Sequence, residues 1–376
     1  MIHVLHLCSD YSRQKLYKEL FLSLAQMGIR QTIYVPVRTA AEVGKYDIPN
    51  VPDTVVIYAH ILEPKHRILY KSKINTIYED VLSKVEIKGI DIIHAHFLFS
   101  DGGVALKLKQ QFSIPYITAV RNTDVNMFFK YMIHLRGHGQ NILSNARQCI
   151  FVTPSYRKQV ADKYIAGQLK ERILNATVIP NGLTPDWFEN QESRPVPHNP
   201  LRILYVGDFT FNKNILLLLS VIKALSGERP VTLTLAGGGG DGHESVLKAL
   251  KQEDFSFVKF VGKVEGATAM RALYGEHDIF VMISKLETFG LVYLEALSQG
   301  LPVIHTAGQG IDGYFEKSSF AIPVQPNNMN ESIEAIKKIA DNFETASREA
   351  VQAVAPFSWT QIAKTYLNLY LEKPSI

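Results

Sequence analysis

Cysteine is scarce in this chain: there are two, Cys8 and Cys149, each inside an apolar run. No disulfide framework or cysteine metal site can be built from that spacing. Both read as small buried core residues, and a reducing compartment is the natural setting. An excess of one charge is missing as well. The formal net charge is +4 over 376 residues, with no basic tract, so the composition makes no case for a nucleic-acid partner. No run approaches the ~18 apolar residues that a membrane-spanning helix needs. The start, "MIHVLHLCSDYSRQ", lacks the charged leader and long apolar core of a signal peptide. A cytoplasmic protein is expected, with peripheral contact at the inner face of a membrane left open. No Asp-x-Asp pair occurs, and the His94/His96 pair lacks an evident third ligand, so no metal site is expected.

What is present is a globular composition, 46% hydrophobic and 20% charged. At this length it points to two domains. Short apolar runs alternate with longer amphipathic ones. "IHVLHLC", "QTIYVPV", "DIIHAHF", "PYITAV" and "CIFVTPS" read as strands. "KLYKELFLSLAQMG" and "DGGVALKLKQQFS" read as helices between them. "LRILYVGD", "VTLTLAGGGG", "VKFVGKV", "IFVMIS" and "LPVIHT" repeat the theme. This rhythm predicts α/β architecture with two doubly wound parallel sheets, and ligands in an interdomain cleft at the carboxyl ends of the strands. The polar, proline-bearing stretch Asn190–Pro200 reads as the linker. The terminal helix, "FSWTQIAKTYLNLY", either closes the second domain or crosses back to the first.

The stretch "ETFGLVYLEALSQG" sets Glu287 and Glu295 eight positions apart. Thr288 is a candidate cap for a helix that stops at Gly300. The N–H groups of Phe289, Gly290 and Leu291 would then be unpaired at a helix start, an arrangement suited to a diphosphate. Over eight residues a helix rises roughly 12 Å. That distance would put a carboxylate at either end of the phosphates, each facing hydroxyl groups.

This arrangement resembles the E-x7-E motif of retaining, nucleotide-sugar-dependent glycosyltransferases of the GT-B fold, glycosyltransferase family 4. "VTPSYRKQV", "VIPNGLTPDWF", "ILYVGDFTFNKN", "VKFVGKV", "ETFGLVYLEALSQGLPVI" and "FSWTQIAKTYLNLY" match family landmarks in order. The resemblance implies two Rossmann-like domains. Residues 1–187 would bind acceptor, 188–355 the nucleotide sugar, and 356–376 would form the C-terminal helix. It implies Glu287 at the donor sugar and Lys213 at the donor diphosphate. Glu295 would meet the ribose and the Val264 backbone the base, with Phe289, Gly290 and Leu291 as donor-binding positions.

Three departures stand out. The loop after the first strand, "SDYSRQK", has no glycine pair. Asp208 stands where relatives place an arginine, so Arg13, Lys15 or Arg121 would have to substitute. "AVRNTD" replaces a histidine segment, which makes Arg121 and Asn122 the candidates facing sugar or acceptor; a buried Arg121–Asp124 salt bridge is the alternative.

The implied reaction is hexosyl transfer, with retention, to a glycan or lipid-linked acceptor in polysaccharide or glycolipid synthesis. No cofactor or metal is expected. A nucleotide-sugar epimerase and a non-catalytic nucleotide-sugar-binding protein are the alternatives. The basic, aromatic runs 65–74 and 127–138 are compatible with an anionic lipid surface as well as with ordinary amphipathic helices.

Overall fold

The computed structural model describes residues 1–252 and 254–372. Two compact units emerge. The first comprises Met1–Gly182 and the segment from Trp359 onward; the second is Leu183–Ser358. The last four residues of the expected C-terminal helix segment, 373–376, lie outside the described residues.

The first unit is built on strands β1 (His3–Leu7), β2 (Arg30–Val37), β3 (Thr54–His60), β4 (Ile92–Ala95), β5 (Tyr116–Val120), β6 (Gln148–Phe151) and β7 (Thr177–Val178). They form one sheet in the order β3-β2-β1-β4-β5-β6-β7, with every pairing parallel. Its helices are α1 (Leu16–Gln26), α2 (Tyr70–Lys84), α3 (Gly102–Phe112), α4 (Arg136–Asn145), α5 (Pro154–Lys163) and α6 (Gly167–Leu174). Both faces of the sheet are covered, which is why β1 and β5 are buried at every position. On one face, Leu20, Phe21 and Leu24 of α1 share a core with Val4, Ile33 and Ile92. On the other, Ile74, Ile77 and Val81 of α2 join Val104 and Leu108 of α3 over Leu5, Ile93 and Tyr116.

The second unit repeats the plan with β8 (Leu201–Gly207), β9 (Val231–Gly237), β10 (Val258–Gly262), β11 (Ile279–Val281), β12 (Val303–Thr306) and β13 (Ala321–Val324). The order is β10-β9-β8-β11-β12-β13, again all parallel. The helices here are α7 (Ile215–Ser226), α8 (His243–Gln252), α9 (Ala267–Gly275), α10 (Leu291–Ser298), α11 (Met329–Asp341) and α12 (Phe343–Ala353). Helix α13 (Trp359–Leu371) then returns to the first unit. Trp359, Ile362, Tyr366 and Tyr370 enter the same core as α1, and Tyr370 Oη lies 2.7 Å from His94 Nδ1.

The stretch Asn190–Pro200, expected to be a linker, is a strap inside the second unit. Gln191 Nε2 donates to the Ser298 carbonyl at 3.1 Å, and Arg194 N to Ser347 Oγ at 2.9 Å. Around the buried Asp278 carboxylate, His198 N donates to Oδ1 at 3.1 Å and Arg202 N to Oδ2 at 2.8 Å. Its prolines and polar residues fit because its hydrogen bonds run to helices α10 and α12 and a buried acid instead of to a neighbouring strand.

Candidate active site

In an open parallel sheet, ligands gather where the strand order reverses, because the loops leaving the two central strands part there. In the second unit that point lies between β8 and β11. The loop after β8 carries Lys213; the loop after β11 carries Glu287. Lys213 Nζ sits 2.7 Å from Glu287 Oε2, and both side chains are largely shielded. Lys213 Nζ also lies 3.7 Å from Met282 Sδ. The other Glu287 oxygen, Oε1, accepts from Thr288 N at 2.9 Å.

Two asparagines stitch these loops together. Asn212 Nδ2 donates to the Leu286 carbonyl at 2.8 Å, and Leu286 N returns a bond to Asn212 Oδ1 at 3.0 Å. Asn214, in the left-handed region at φ 58°, donates to the carbonyls of Ile283 at 3.3 Å and Pro326 at 2.6 Å. Lys213 is thereby fixed between two anchored neighbours. From the loop after β12, Gln309 Oε1 accepts from Glu287 N at 3.2 Å and Gly310 N donates to the Glu287 carbonyl at 3.1 Å. Asn212, Asn214 and Gln309 are positioning residues that the sequence reading did not single out. The "NKN" around Lys213 was a usable signal; Gln309 has no local pattern to reveal it.

The helix start differs from expectation. Helix α10 begins at Leu291, and its N-cap is Gly290 in the left-handed region (φ 77°, ψ 67°), with no side-chain cap. Thr288 is therefore not the cap. The Tyr293 ring lies beneath Gly290, and a Cβ there would stand 2.5 Å from that ring. Only glycine fits both the angle and the space. Among the described residues, the N–H groups of Phe289, Gly290 and Leu291 have no protein acceptor. This donor row lies at the helix start where the anion site was expected. Glu287 lies outside the helix, so the eight-residue spacing does not run along one helical axis.

Glu295 sits on α10 and accepts from Tyr274 Oη at 3.1 Å. Burial pushes its carboxyl up to about 7, only partly offset by that hydrogen bond. Val264 is half-buried in the turn between β10 and α9. The glycine-rich turn after β9 folds against the Lys213 loop: Phe209 N donates to the Gly239 carbonyl at 2.9 Å, and Phe211 N to Asp241 Oδ1 at 2.9 Å. Gly237, at φ 126°, lies so close to Gly207 that a Cβ would stand 1.9 Å from its carbonyl oxygen.

The first unit corrects the reading of Arg121. Its side chain is buried. Nε donates to the His96 carbonyl at 2.9 Å and Nη1 to Asn181 Oδ1 at 3.2 Å, and the guanidinium lies over the Tyr17 ring at 5.0 Å. These contacts engage its Nε and Nη1 within the first unit, where the sequence expectation had them facing sugar or acceptor. The alternative salt bridge is replaced too: the Asp124 carboxylate accepts backbone N–H groups of Arg121, Leu98 and Phe99. Asn122 is half-buried at the end of β5, its Oδ1 accepting from Tyr156 Oη at 3.2 Å and from Asn126. Arg13 pairs with Glu42 at 3.0 Å, and Lys15 is exposed.

His94 and His96 do acquire a third imidazole, His6, which pairs in register with His94 across β1 and β4. His6 Nδ1 is 3.2 Å from His96 Nε2. Burial drives all three toward the neutral form, His6 to about 3. The nearby Arg121 charge opposes protonation of His94 and His96, and would equally oppose a cation.

Residues 187–353 match the family described as glycosyl transferases group 1. An uncharacterised glycosyltransferase of Methanocaldococcus jannaschii is 27% identical over 300 residues, covering 77% of each chain. Among solved structures, sucrose-phosphate synthase from Thermosynechococcus elongatus superposes with a TM-score of 0.73 at 21% identity, covering 98% of both chains. HepE of Anabaena, in complex with UDP-glucose, gives 0.62 at 16% identity over 98% of this chain and 99% of that one. In fold the chain is thus a GT-B protein, and in sequence its second unit is similar to the group 1 glycosyl transferases.

Proposed function

We propose that the chain transfers a hexosyl unit from a nucleotide sugar to a hydroxyl of a glycan or lipid-linked acceptor, with retention, as a family 4 enzyme. The observation that carries this reading is the Lys213–Glu287 contact at the strand-order reversal of the second unit, beside a helix start with unpaired N–H groups. A similar protein, HepE, is described with UDP-glucose bound. In the reaction the bond from the anomeric carbon to the diphosphate breaks, and the leaving oxygen keeps the electron pair. Lys213 and the N–H groups of residues 289–291 stabilise that charge. Glu287 accepts hydrogen bonds from sugar hydroxyls, and Glu295 from the ribose. The acceptor oxygen forms the new bond at the anomeric carbon and passes its proton to the departing diphosphate. Charge neutralisation rests on side chains and backbone, so the reaction is proposed to need no metal.

A thermal-shift panel of UDP, GDP and ADP sugars identifies the donor. Acceptor-dependent release of the nucleoside diphosphate then tests transfer. Interconversion of donor sugars without acceptor would mark an epimerase instead. Donor binding with neither outcome would mark a non-catalytic binder.

A further inference from the structure

Two segments of the first unit that the transfer reading leaves unused meet on one surface. Tyr70, at the start of α2, places its ring 6.2 Å from Phe128 and 5.4 Å from His138. This joins the stretch 65–70 to the irregular stretch 127–138, a π-type turn at Asp124–Phe129 followed by a short turn at Ile133–Leu135. Large apolar side chains crowd the exposed side of both: Ile68 is 83% exposed, Leu69 53%, Met127 50%, Tyr131 68% and Ile133 65%. Scattered exposed apolar residues are ordinary, but a group of them on two touching turns is not.

The exposed charge within these two stretches is of one sign, the carboxylates of Asp101 and Asp124 nearby being buried. Lys65, Arg67, Lys71 and Lys130 are exposed in the same two stretches. No aspartate or glutamate occurs from residue 64 to 78, or from 125 to 161. Glu63, paired with Lys65 at 2.9 Å, stands at the border. Beside Tyr70 an open cavity of about 500 Å³ is lined by Lys71, Lys107, His134 and His138, with Ile74 and Leu135. His138 Nε2 is buried there without a hydrogen-bond partner. Cationic rims, a tyrosine and aliphatic tips are what the boundary of an anionic bilayer accommodates. Among the described residues no helix is long and apolar enough to cross a membrane, so the contact would be interfacial.

We propose that this face of the first unit docks on a bilayer containing anionic phospholipid: the tips at 68–69 and 127–133 enter the interface, and the basic cavity receives a lipid phosphate. The proposal does not depend on the transfer reaction, because its readout is vesicle binding alone. The full chain is spun with vesicles of phosphatidylglycerol and phosphatidylethanolamine, and with phosphatidylcholine alone, at low and high salt. Binding to the anionic vesicles is expected, falling about tenfold or more in high salt or on phosphatidylcholine. The double variant Ile68→Asp/Ile133→Asp and, separately, Lys71→Glu/Lys130→Glu should each lower binding by about tenfold. Both native cysteines are buried, so an Ile133→Cys protein can be labelled there with a polarity-sensitive dye. Its emission should shift to the blue on anionic vesicles, which gives a readout should the multiple variants fold poorly. Absent binding, equal binding to phosphatidylcholine, or an unmoved dye would each overturn the proposal. So would folded variants that change the protein's self-association and leave vesicle binding intact.

Discussion

Lys213 Nζ and Glu287 Oε2 stand 2.7 Å apart although 74 residues separate them, because β8 and β11 are neighbours in the sheet. The pair should act as a unit on the donor. Lys213→Ala and Glu287→Gln are each expected to lower kcat by roughly 10²–10³. The double variant should fall well short of the product of the two losses. Acceptor-dependent release of nucleoside diphosphate measures all three. Unchanged turnover in Glu287→Gln would remove the site assignment.

Glu295 makes stability depend on pH in a definite direction. Its carboxyl titrates at about 7 in the folded protein, above its unfolded value. The native state therefore holds the proton more tightly. The resulting stabilisation is fully present below about pH 4 and is lost as pH climbs through about 7. Glu295→Gln has no such proton to lose. Relative to the parent, the variant should gain stability between pH 5 and 8.5, by something of order 3 kcal/mol or less. Urea denaturation of both proteins at the two pH values checks this; a gain in the opposite direction rules it out.

Gly290→Ala forces a left-handed alanine into contact with the Tyr293 ring. A loss of about 2 kcal/mol is expected, together with weaker binding of nucleoside diphosphate. Thermal unfolding with and without the nucleotide separates the two effects. An unaffected melting temperature would mean that the helix start can rearrange.

Asp278→Ala should destabilise the protein by about 3 kcal/mol. The variant leaves His198 N and Arg202 N without their acceptor, and Arg194 Nη1 loses an anion 3.7 Å away. Accelerated proteolysis within 190–200 would accompany the loss. If that stretch were only a solvated connection, proteolysis within it would not change.

The strands were legible because sheets covered on both faces demand apolar runs, and β1, β8 and β11 read as such directly. Lys213 and Glu287 were singled out through the order of motifs around them, and the structure brings their side chains into contact. The start of α10 was not: capping preference favours Thr288, whereas the Tyr293 ring packed under Gly290 moves the cap two residues along. The strap at 190–200 was misread because prolines and polar side chains look alike whether they face water or a buried Asp278. Arg121 and His6 were hidden for a related reason. Their partners, Asn181 and His96, lie 60 and 90 residues away, and only strand register brings them together.

The second unit begins at Leu183 and ends at Ser358, and these two residues form a parallel bridge, with Leu183 N donating to the Phe357 carbonyl at 2.8 Å. Its termini are side by side, so it is an insertion between the body of the first unit and that unit's own last helix. A gene fragment encoding 183–358 would thus carry the whole unit as one uninterrupted stretch. The remainder could be resealed with a short spacer from Gly182 to Trp359, opening each half to separate labelling and reassembly.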